Sequence, residues 1–302
     1  MGSDMAPVET TVEIIIGDAL ARIRELPDGS VQCCVTSPPY WGLRDYGHPD
    51  QIGLERSPEE YVLKLVDVFK EVRRVLRPDG TLWVNMGDTY SGSGRGGNSS
   101  AITGRGANAS RGLRLPATGP SKQLLGIPWR VALALQSDGW YLRSCIVWHK
   151  PNPMPESVTD RPTNSHEYIF LLANSERYYY NAEAIAEPIS TYERNRMRPP
   201  GVTPKAATRN ARSIWSITSK PYKGAHFATF PPALPRRCIL AGSRPGDTVL
   251  DPFAGSGTTG AVARELGRSA ILIELQPDYL PLIRDRVSGA HPPLFVEEVP
   301  RG

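Results

Sequence analysis

The sequence has 302 residues, of which 40% are hydrophobic, 8% aromatic and 22% charged, as in an ordinary globular protein. Its longest apolar runs are strand-sized and its N-terminus lacks the basic-then-apolar pattern of a secretion signal, so we expect neither a membrane span nor export. The formal net charge is +4, and the four cysteines show neither CxxC nor metal-type spacing. These features predict a cytoplasmic protein with free thiols, no metal site and one sizeable core, or such a core with a small appendage.

Positive charge is concentrated in two stretches rich in Gly, Ser and Pro. Residues 90–122 carry five basic and no acidic side chains, and residues 188–225 carry eight basic side chains against Glu193 alone. Subtracting their +5 and +7 from the total of +4 leaves −8 for the rest of the chain. An acidic body with two basic appendages favours a surface that meets a polyanion. On charge alone, a pair of solvated loops is the alternative interpretation.

Hydrophobic periodicity predicts strands that alternate with helices. A long helix begins with Ser57 as its N-cap, and Glu60 is placed as in a capping box. In chain order, strands are predicted over residues 12–16, 31–36, 81–86, 141–148, 167–173, 248–250 and 270–273. Helices are predicted over residues 19–26, 58–76, 124–136, 258–266 and 277–287. This alternation indicates a layered α/β fold with a largely parallel sheet, in which strands 141–148 and 167–173 form an antiparallel pair.

The stretch TSPPYW, residues 36–41, follows the second predicted strand directly. A chain that only turned here would use Gly, Asn or Asp and would keep its large aromatic side chains inside. The two prolines have a fixed φ and no N–H, so they present carbonyl acceptors without a competing donor. Ser37 precedes a proline and is therefore held extended. Taken alone, the motif is also compatible with a rigid strand exit.

The stretch VLDPFAGSGTTG, residues 249–260, joins a predicted strand to a predicted helix through glycines. Gly255, Gly257 and Gly260 match GxGxxG, and Glu274 ends the next strand, where an acidic side chain can hold ribose hydroxyls. Thr258 stands where a phosphate-binding loop needs lysine. Asp251 disfavours a pyrophosphate and favours an ammonium group. The pattern is that of a dinucleotide-binding turn, and a nucleoside cofactor with an amino-acid tail would meet the same surfaces.

The first predicted strand ends at Gly17-Asp18, and Asp18 has two compatible interpretations. One is a contact with the base of the cofactor, and the other is the N-cap of the following helix. Ligands of open α/β sheets bind at the carboxyl edge of the strands. We therefore expect the stretches around Ser37 and Gly255 to face each other across one cleft.

These motifs carry a family resemblance. Seven blocks follow one another in the family's order: GDAL (17–20), TSPPYWGLRDY (36–46), VWHKPNPMP (147–155), HEYIFLLANSERYYYNAEAI (166–185), FPPALPRRCI (230–239), DPFAGSGTTG (251–260) and LIELQPDY (272–279). From about residue 12 to about residue 287, the chain resembles the amino-methylating DNA methyltransferases of the permuted β-class order, of restriction–modification type. In that order, the (D/N/S)PP(Y/F) motif precedes the S-adenosylmethionine loop.

The resemblance implies an S-adenosylmethionine-dependent, Rossmann-like methyltransferase fold. Its sheet would be mostly parallel and seven-stranded, with an antiparallel hairpin at one edge. Residues 11–90, 121–185 and 226–290 would form a discontinuous catalytic domain, and the basic segments 91–120 and 188–225 would recognise the DNA target. Double-stranded DNA is the implied partner, together with a second copy of the chain in a homodimer and a cognate restriction endonuclease.

Residue roles carry over by position. The implied catalytic residues are Ser37, Pro38, Pro39 and Tyr40, which accept hydrogen bonds from the target amine and stack on an extruded base. The implied cofactor-binding residues are Asp18, Phe230, Asp251, Pro252, Phe253, Gly255, Gly257, Thr258 and Glu274. The implied substrate and DNA contacts are Trp41, Trp148, His149, Lys150, Arg95, Arg105, Arg111, Arg194, Arg196, Arg198 and Lys205; contacts from basic side chains to phosphates would make affinity fall as salt rises.

Serine at the first motif position favours a particular target base. In the resembled family, serine mostly accompanies cytosine N4, whereas aspartate or asparagine mostly accompanies adenine N6. We therefore predict N4-cytosine methylation, with N6-adenine methylation as the alternative. GxGxxG alone would also fit a nicotinamide dehydrogenase, and the basic segments alone would fit a DNA-binding module without catalysis. Neither of these gives a role to Ser37 and Tyr40.

Overall fold

The computed structural model describes residues 10–92, 119–189, 208–219 and 230–289. The strands in these ranges are β1 (Val12–Ile16), β2 (Val31–Thr36), β3 (Leu76–Met86), β4 (Tyr141–His149), β5 (His166–Ala173), β6 (Glu187–Pro188), β7 (Thr208–Arg209), β8 (Ile214–Ser216), β9 (Thr248–Asp251) and β10 (Ser269–Glu274). The α-helices are α1 (Ala19–Arg24), α2 (Pro58–Val75), α3 (Ile127–Ser137), α4 (Ala233–Gly242), α5 (Thr258–Glu265) and α6 (Leu280–Ser288).

Eight strands form one sheet in the order β1-β10-β9-β2-β3-β5-β4-β8, and β6 pairs with β7 separately. The five strands from β1 to β3 in that order all run parallel. Strand β5 is antiparallel to both β3 and β4, and β8 runs parallel to β4. The carboxyl ends of β1, β10, β9, β2 and β3 therefore lie at a single edge, where open α/β sheets bind their ligands.

Two apolar layers cover the two faces of this sheet. On one face, buried side chains of α1, α2 and α3 pack together, among them Ile23, Phe69 and Val131. On the other face, α4, α5 and α6 contribute buried side chains such as Ile239 and Ile283. Parallel strands covered by helices on both faces become buried throughout, and all six residues of β2 are buried.

Helix α2 illustrates how the sequence sets local structure. Ser57 Oγ accepts a hydrogen bond from the Glu60 backbone N–H at 3.2 Å, as the predicted N-cap should. Tyr61, Leu65 and Phe69 recur at four-residue spacing and are completely buried. Capping therefore fixes where the helix begins, and the apolar stripe fixes which face meets the sheet.

The structure differs from the predicted architecture in three respects. The sheet has eight strands instead of seven, because Ile214–Ser216, inside the second basic segment, pairs with β4. The antiparallel pair of β5 and β4 consequently lies inside the edge strand β8 instead of at the edge of the sheet. Helix α4 was not predicted, since prolines and two arginines interrupt its apolar pattern. The mostly parallel α/β sheet and the permuted order, with the TSPPYW strand before the Gly-rich loop, are confirmed.

Within the described ranges, no helix combines the length and the apolar character needed to cross a bilayer.

Candidate active site

Strands β2 and β9 are neighbours in the sheet, so the segments that follow them meet at its carboxyl edge. Thr36 Oγ1, at the end of β2, donates a hydrogen bond to Asp251 Oδ1, at the end of β9, at 2.7 Å. The stretch TSPPYW and the Gly-rich turn, which are far apart in sequence, thus lie side by side, as expected for one shared cleft.

The carboxyl group of Asp251 joins these two stretches. It is 1% exposed, and protein donors reach both of its oxygens. Oδ1 accepts hydrogen bonds from Thr36 and from the Phe253 backbone N–H at 3.1 Å, and Oδ2 accepts one from Thr259 Oγ1 at 2.7 Å. Burial raises the pKa of Asp251 to about 6, against the opposing effect of these hydrogen bonds. Asp251 therefore ties β2 to α5, a role that the sequence reading did not assign to it.

The turn between β9 and α5 passes through Gly255 and Gly257, whose φ angles are +54° and +76°. These values lie in the left-handed region that favours glycine. At Gly257 a Cβ atom would also lie 2.8 Å from Ile283 Cγ2, whereas at Gly255 it would meet no protein atom within 4 Å. The space over Gly255 is open, and α5 begins next to it with backbone N–H groups that have no partner inside the helix. A cofactor can therefore approach this turn closely.

Glu274, at the end of β10, faces the same turn. Its Oε2 accepts a hydrogen bond from the Gly255 backbone N–H at 2.7 Å, and its Oε1 accepts one from the Gln276 backbone N–H at 2.9 Å. The side chain is mostly buried, and burial raises its pKa to about 7 against the opposing effect of these hydrogen bonds. An acceptor held in this way fits the ribose hydroxyls of a nucleoside cofactor.

Asp18 follows β1, the strand that lies next to β10 in the sheet. The backbone N–H of Gly17 donates to the carbonyl of Glu274 at 2.9 Å, which brings the end of β1 to this part of the edge. Asp18 Oδ1 accepts a hydrogen bond from the Ala21 backbone N–H at 2.9 Å and caps α1. The helix-cap interpretation of Asp18 is thus confirmed, and its contact with the cofactor base stays a prediction.

The segment that follows TSPPYW also contacts the residues that follow β10. Gln276 Nε2 donates to the backbone carbonyl of Tyr46 at 2.7 Å. Burial raises the pKa of Tyr46, with a smaller opposing effect from Arg44 and a further increase from the charge of Glu274. The sequence reading missed Tyr46 and Gln276, because no spacing rule indicates that this segment contacts the end of β10.

The remaining predicted cofactor residues occupy different surroundings. Pro252 is buried and Phe253 is half-buried against the layer of α1–α3. Thr258 is buried, and its hydroxyl accepts a hydrogen bond from Arg286. Phe230 packs against the opposite layer, beneath α4–α6. The contacts of these four residues with the cofactor remain predictions. The hydroxyl of Thr258 already has a protein partner.

Ser37 and the residues after it form a braced loop at the end of β2. The Ser37 hydroxyl donates to the phenolic oxygen of Tyr40 at 3.4 Å. The carbonyl of Pro39 accepts a hydrogen bond from the Tyr61 hydroxyl at 2.8 Å. A Cβ atom on Gly87 would lie 2.8 Å from Tyr40 Cε2, so only glycine lets the ring pack this closely. Packing and hydrogen bonds therefore hold the positions of the Ser37 side chain and the Tyr40 ring.

A polar network extends from Tyr40 to the antiparallel strand. The Tyr40 hydroxyl donates to Glu167 Oε2 at 2.7 Å, and Asn85 Nδ2 donates to the same oxygen at 3.1 Å. Lys150 pairs with Glu167 Oε1, and its ammonium nitrogen lies 4.5 Å from the centre of the Trp148 ring. Lys150 was predicted to contact substrate, but its charge is directed to Glu167. Neither Glu167 nor Asn85 was identified from the sequence.

Both tryptophans predicted to contact substrate are buried, and their contact with substrate stays a prediction. Trp41 is 4% exposed and its indole N–H donates to the backbone carbonyl of Glu55 at 3.2 Å. Trp148 is 3% exposed and donates to the backbone carbonyl of Ile217 at 2.8 Å. Burying a large aromatic surface stabilises the fold more than exposing it would, so these side chains pack inward. His149 is exposed, and its Nδ1 lies 3.1 Å from Ser216 Oγ.

The predicted phosphate-binding residues lie outside the described residues. They are Arg95, Arg105 and Arg111 in the first basic segment and Arg194, Arg196, Arg198 and Lys205 in the second.

An open α/β sheet with a Gly-rich turn, an acidic residue on the next strand and a braced SPPY loop at the same edge defines an enzyme that uses a nucleoside cofactor. Comparison with known proteins gives the family. Residues 31–285 match the family described as DNA methylase. The chain is 50% identical over 275 residues to the Type II methyltransferase M.SmaI of Serratia marcescens, covering 91% of this chain and 90% of that one. The chain belongs to this DNA methylase family and is a site-specific DNA methyltransferase.

Solved structures share the fold. The PvuII DNA methyltransferase (cytosine-N4-specific) has a TM-score of 0.66 and 21% identity, covering 94% of this chain and 89% of its own. The putative DNA modification methylase TTHA0409 of Thermus thermophilus, complexed with S-adenosyl-L-methionine, has a TM-score of 0.62 and 24% identity, covering 95% of this chain and 99% of its own. S-adenosylmethionine is the cofactor of this family, and the open space over Gly255 and the acceptors of Glu274 fit it. Membership of this family excludes the alternative interpretation as a nicotinamide dehydrogenase.

The pKa of Glu274 predicts how cofactor affinity depends on pH. Because this pKa is raised to about 7, Glu274 loses a proton as the pH rises through neutrality, and only the carboxylate offers acceptors to both ribose hydroxyls. Cofactor affinity should therefore fall at acidic pH, by up to about tenfold per pH unit below the pKa. Calorimetric titration from pH 8.5 to pH 6 measures this effect. The variant Glu274→Gln should bind weakly with a much flatter profile, and an unchanged slope in this variant would contradict the assignment.

Proposed function

We propose that this protein methylates the exocyclic N4 amine of cytosine at a specific site in double-stranded DNA. The observation that carries the proposal is Ser37, a neutral hydroxyl at the first motif position, located at the end of β2 beside the Gly-rich turn. Serine at this position mostly accompanies cytosine N4 in the resembled family. The name of the PvuII enzyme agrees with this target, although at 21% identity the likeness itself extends to the fold alone.

The chemistry requires a more nucleophilic amine than cytosine offers by itself. The lone pair of the exocyclic nitrogen is delocalised into the ring, and the base has to leave the duplex to be reached. Ser37 Oγ accepts a hydrogen bond from one amine hydrogen, and a proline carbonyl accepts one from the other. Since the Pro39 carbonyl already accepts a hydrogen bond from Tyr61, we assign the second acceptor to the carbonyl of Pro38. These two bonds draw the nitrogen towards tetrahedral geometry and localise its lone pair.

S-adenosylmethionine, when bound, supplies an electrophilic methyl group on a positively charged sulfur. The residues of the chain supply position: the Gly255 turn and Glu274 hold one partner, while Ser37, Pro38 and the Tyr40 ring hold the other. Orientation of this kind is worth about 7–11 kcal/mol in favourable cases. Water is a sufficient acceptor for the proton that the methylated amine releases.

We assign catalysis to residues 11–90, 121–185 and 226–290, and target recognition to the basic segments 91–120 and 188–225. Contacts around β8 support a role for the second segment near the target base. Strand β8 pairs with β4, and Ser216 lies 3.1 Å from His149, next to Lys150 and the Glu167 network. DNA phosphates would be bound by the arginines and the lysine named above, which the charge segregation supports.

Three further proposals rest on the family. Members of the resembled family associate in pairs, so we propose a homodimer. The similarity to M.SmaI, a Type II methyltransferase, supports a cognate restriction endonuclease that acts on the same site. Action on chromosomal DNA implies that the protein works in the cytoplasm.

Nucleoside mass spectrometry tests the target base directly. Purified protein and S-adenosylmethionine are incubated with whole-genome-amplified bacterial DNA, which carries every short site without modification, and the DNA is then digested to nucleosides. We expect N4-methylcytosine, and we expect far less of it with the variant Ser37→Ala when both reactions are stopped early. N6-methyladenine without N4-methylcytosine would contradict the proposal and would assign the protein to adenine methylation.

A further inference from the structure

Glu167 is a mostly buried charged residue that touches the SPPY loop. Its side chain is 16% exposed, and it lies on β5, which pairs with β3. The Tyr40 hydroxyl and Asn85 Nδ2 both donate to Oε2, while Lys150 pairs with Oε1. The ammonium group compensates the charge of the carboxylate, so both charges are tolerated in this mostly buried place. A carboxylate with this many directed partners at the edge of a reaction site suggests a role in the reaction.

The direction of the hydrogen bonds in this network follows from the number of protons available. Tyr40 has one hydroxyl proton, and burial, followed by the charge of Glu167, raises its pKa well above the usual value. The phenol therefore keeps its proton and directs it to Glu167 at 2.7 Å, not to Asn85 Oδ1 at 3.3 Å. The oxygen of Tyr40 then has only lone pairs to offer to Ser37. The proton of the Ser37 hydroxyl consequently points towards Tyr40, away from the position of the target amine.

We propose that Glu167 is a positioning residue for methyl transfer: through Tyr40 it sets the direction of the Ser37 hydroxyl, so that the lone pairs of Ser37 face the target amine. A serine hydroxyl carries one donor and two acceptor sites. If its proton pointed at the amine, it would bind the nitrogen lone pair that the reaction requires. A chain of donors ending on a carboxylate prevents this and makes Ser37 Oγ a better acceptor, because hydrogen bonds in a chain polarise one another.

The contact between Ser37 and Tyr40, at 3.4 Å, is long for an O–H···O bond. Catalytic hydrogen bonds are often long before substrate binds and tighten in the complex. An amine that donates to Ser37 Oγ strengthens the donation from Ser37 to Tyr40, so the chain tightens when the base arrives. The inference rests on an exocyclic amine as target and holds whether that amine belongs to cytosine or adenine.

The test compares single-turnover rates of tritiated-methyl incorporation into whole-genome-amplified DNA. The variant Glu167→Gln keeps the size of the side chain but removes its charge, and we expect its rate to fall roughly 10- to 100-fold, as for loss of a hydrogen bond to a charged group. Affinities for S-adenosylmethionine and DNA should not change. The control is Glu71→Gln, which removes a carboxylate of comparable exposure from an ion pair with Arg74 on α2 and should keep the wild-type rate.

A double-mutant cycle separates positioning from general structural damage. Because Glu167 acts through the hydroxyl of Tyr40, Glu167→Gln should cause no further loss of rate in a Tyr40→Phe protein, which retains the ring. Additive losses would overturn the proposal, as would a wild-type rate in Glu167→Gln or an equal loss of cofactor affinity. If Glu167→Gln does not fold, Tyr40→Phe alone carries the test, and a wild-type rate in that variant refutes the proposal. Tritium counts report transfer to any base, so these outcomes do not depend on N4-cytosine specificity.

Discussion

Replacing Ser37 by alanine should lower the single-turnover rate of DNA methylation by about 100- to 1,000-fold, the range seen when one preorganised polar group is removed from a reaction site. In the proposed mechanism this hydroxyl is the side-chain acceptor for the amine, and without it the carbonyl of Pro38 would have to hold the amine alone. Since the proposal assigns Ser37 to the target base and not to the cofactor, the affinity for S-adenosylmethionine should stay the same. Rapid-quench measurement of methyl incorporation, with calorimetry for cofactor binding, checks both expectations.

Ser57→Ala is the matched control for this experiment. The Ser57 hydroxyl caps α2 by accepting a hydrogen bond from the Glu60 backbone N–H, so its loss should cost about 1 kcal/mol of stability without changing the rate. A Ser37→Ala protein that methylates DNA at the wild-type rate would show that the side chain of Ser37 does not activate the amine. A rate loss accompanied by equally weakened cofactor binding would point to a distorted site.

Replacing Asp251 by alanine should have the second large effect, on folding stability and on cofactor binding together. Its carboxylate accepts the hydroxyl protons of Thr36 and Thr259, and both threonines are fully buried. Leaving two buried donors without partners costs about 2–6 kcal/mol in total, at about 1–3 kcal/mol each. Because the same bonds hold the Gly-rich turn against β2, we expect cofactor affinity to fall at least tenfold. Urea unfolding and calorimetric titration provide the two measurements.

Asp247→Ala provides the comparison at the opposite end of the same strand. Asp247 is also mostly buried, and it accepts hydrogen bonds from Arg77 at 2.8 Å and from the Arg244 backbone N–H at 2.7 Å. We expect this variant to lose stability while the residual folded protein keeps its cofactor affinity. If both variants lost stability and only Asp247→Ala lost cofactor affinity, the proposed link through Asp251 would be wrong.

The elements and the common edge were predictable because local patterns determine them. Alternating apolar runs define the strands of a parallel sheet, and each polar stretch that follows such a strand falls at the carboxyl edge. Ser37, Asp251 and Glu274 all follow this rule. Asp18 was also predictable as a helix cap, because capping depends on residues within one turn.

Non-local pairing explains what the sequence did not predict. Glu167 reaches Tyr40 because β5 pairs antiparallel with β3, and no local signal sets that register. Strand β8 has three residues inside a basic segment, too few for a periodic pattern. The tryptophans at positions 41 and 148 stand beside family motifs, and this proximity suggested a role in binding, yet the gain from burying indole rings decides their position.

A crystal structure of the protein with sinefungin, a non-transferable cofactor analogue, and duplex DNA containing its target site tests the central claim most directly. We expect the target base outside the helix, with its exocyclic nitrogen within hydrogen-bonding distance of Ser37 Oγ and the Pro38 carbonyl oxygen, and the analogue bound over Gly255 on the facing side of the cleft. An extruded base that is held away from Ser37, or an analogue bound away from the Gly255 turn, would contradict the claim.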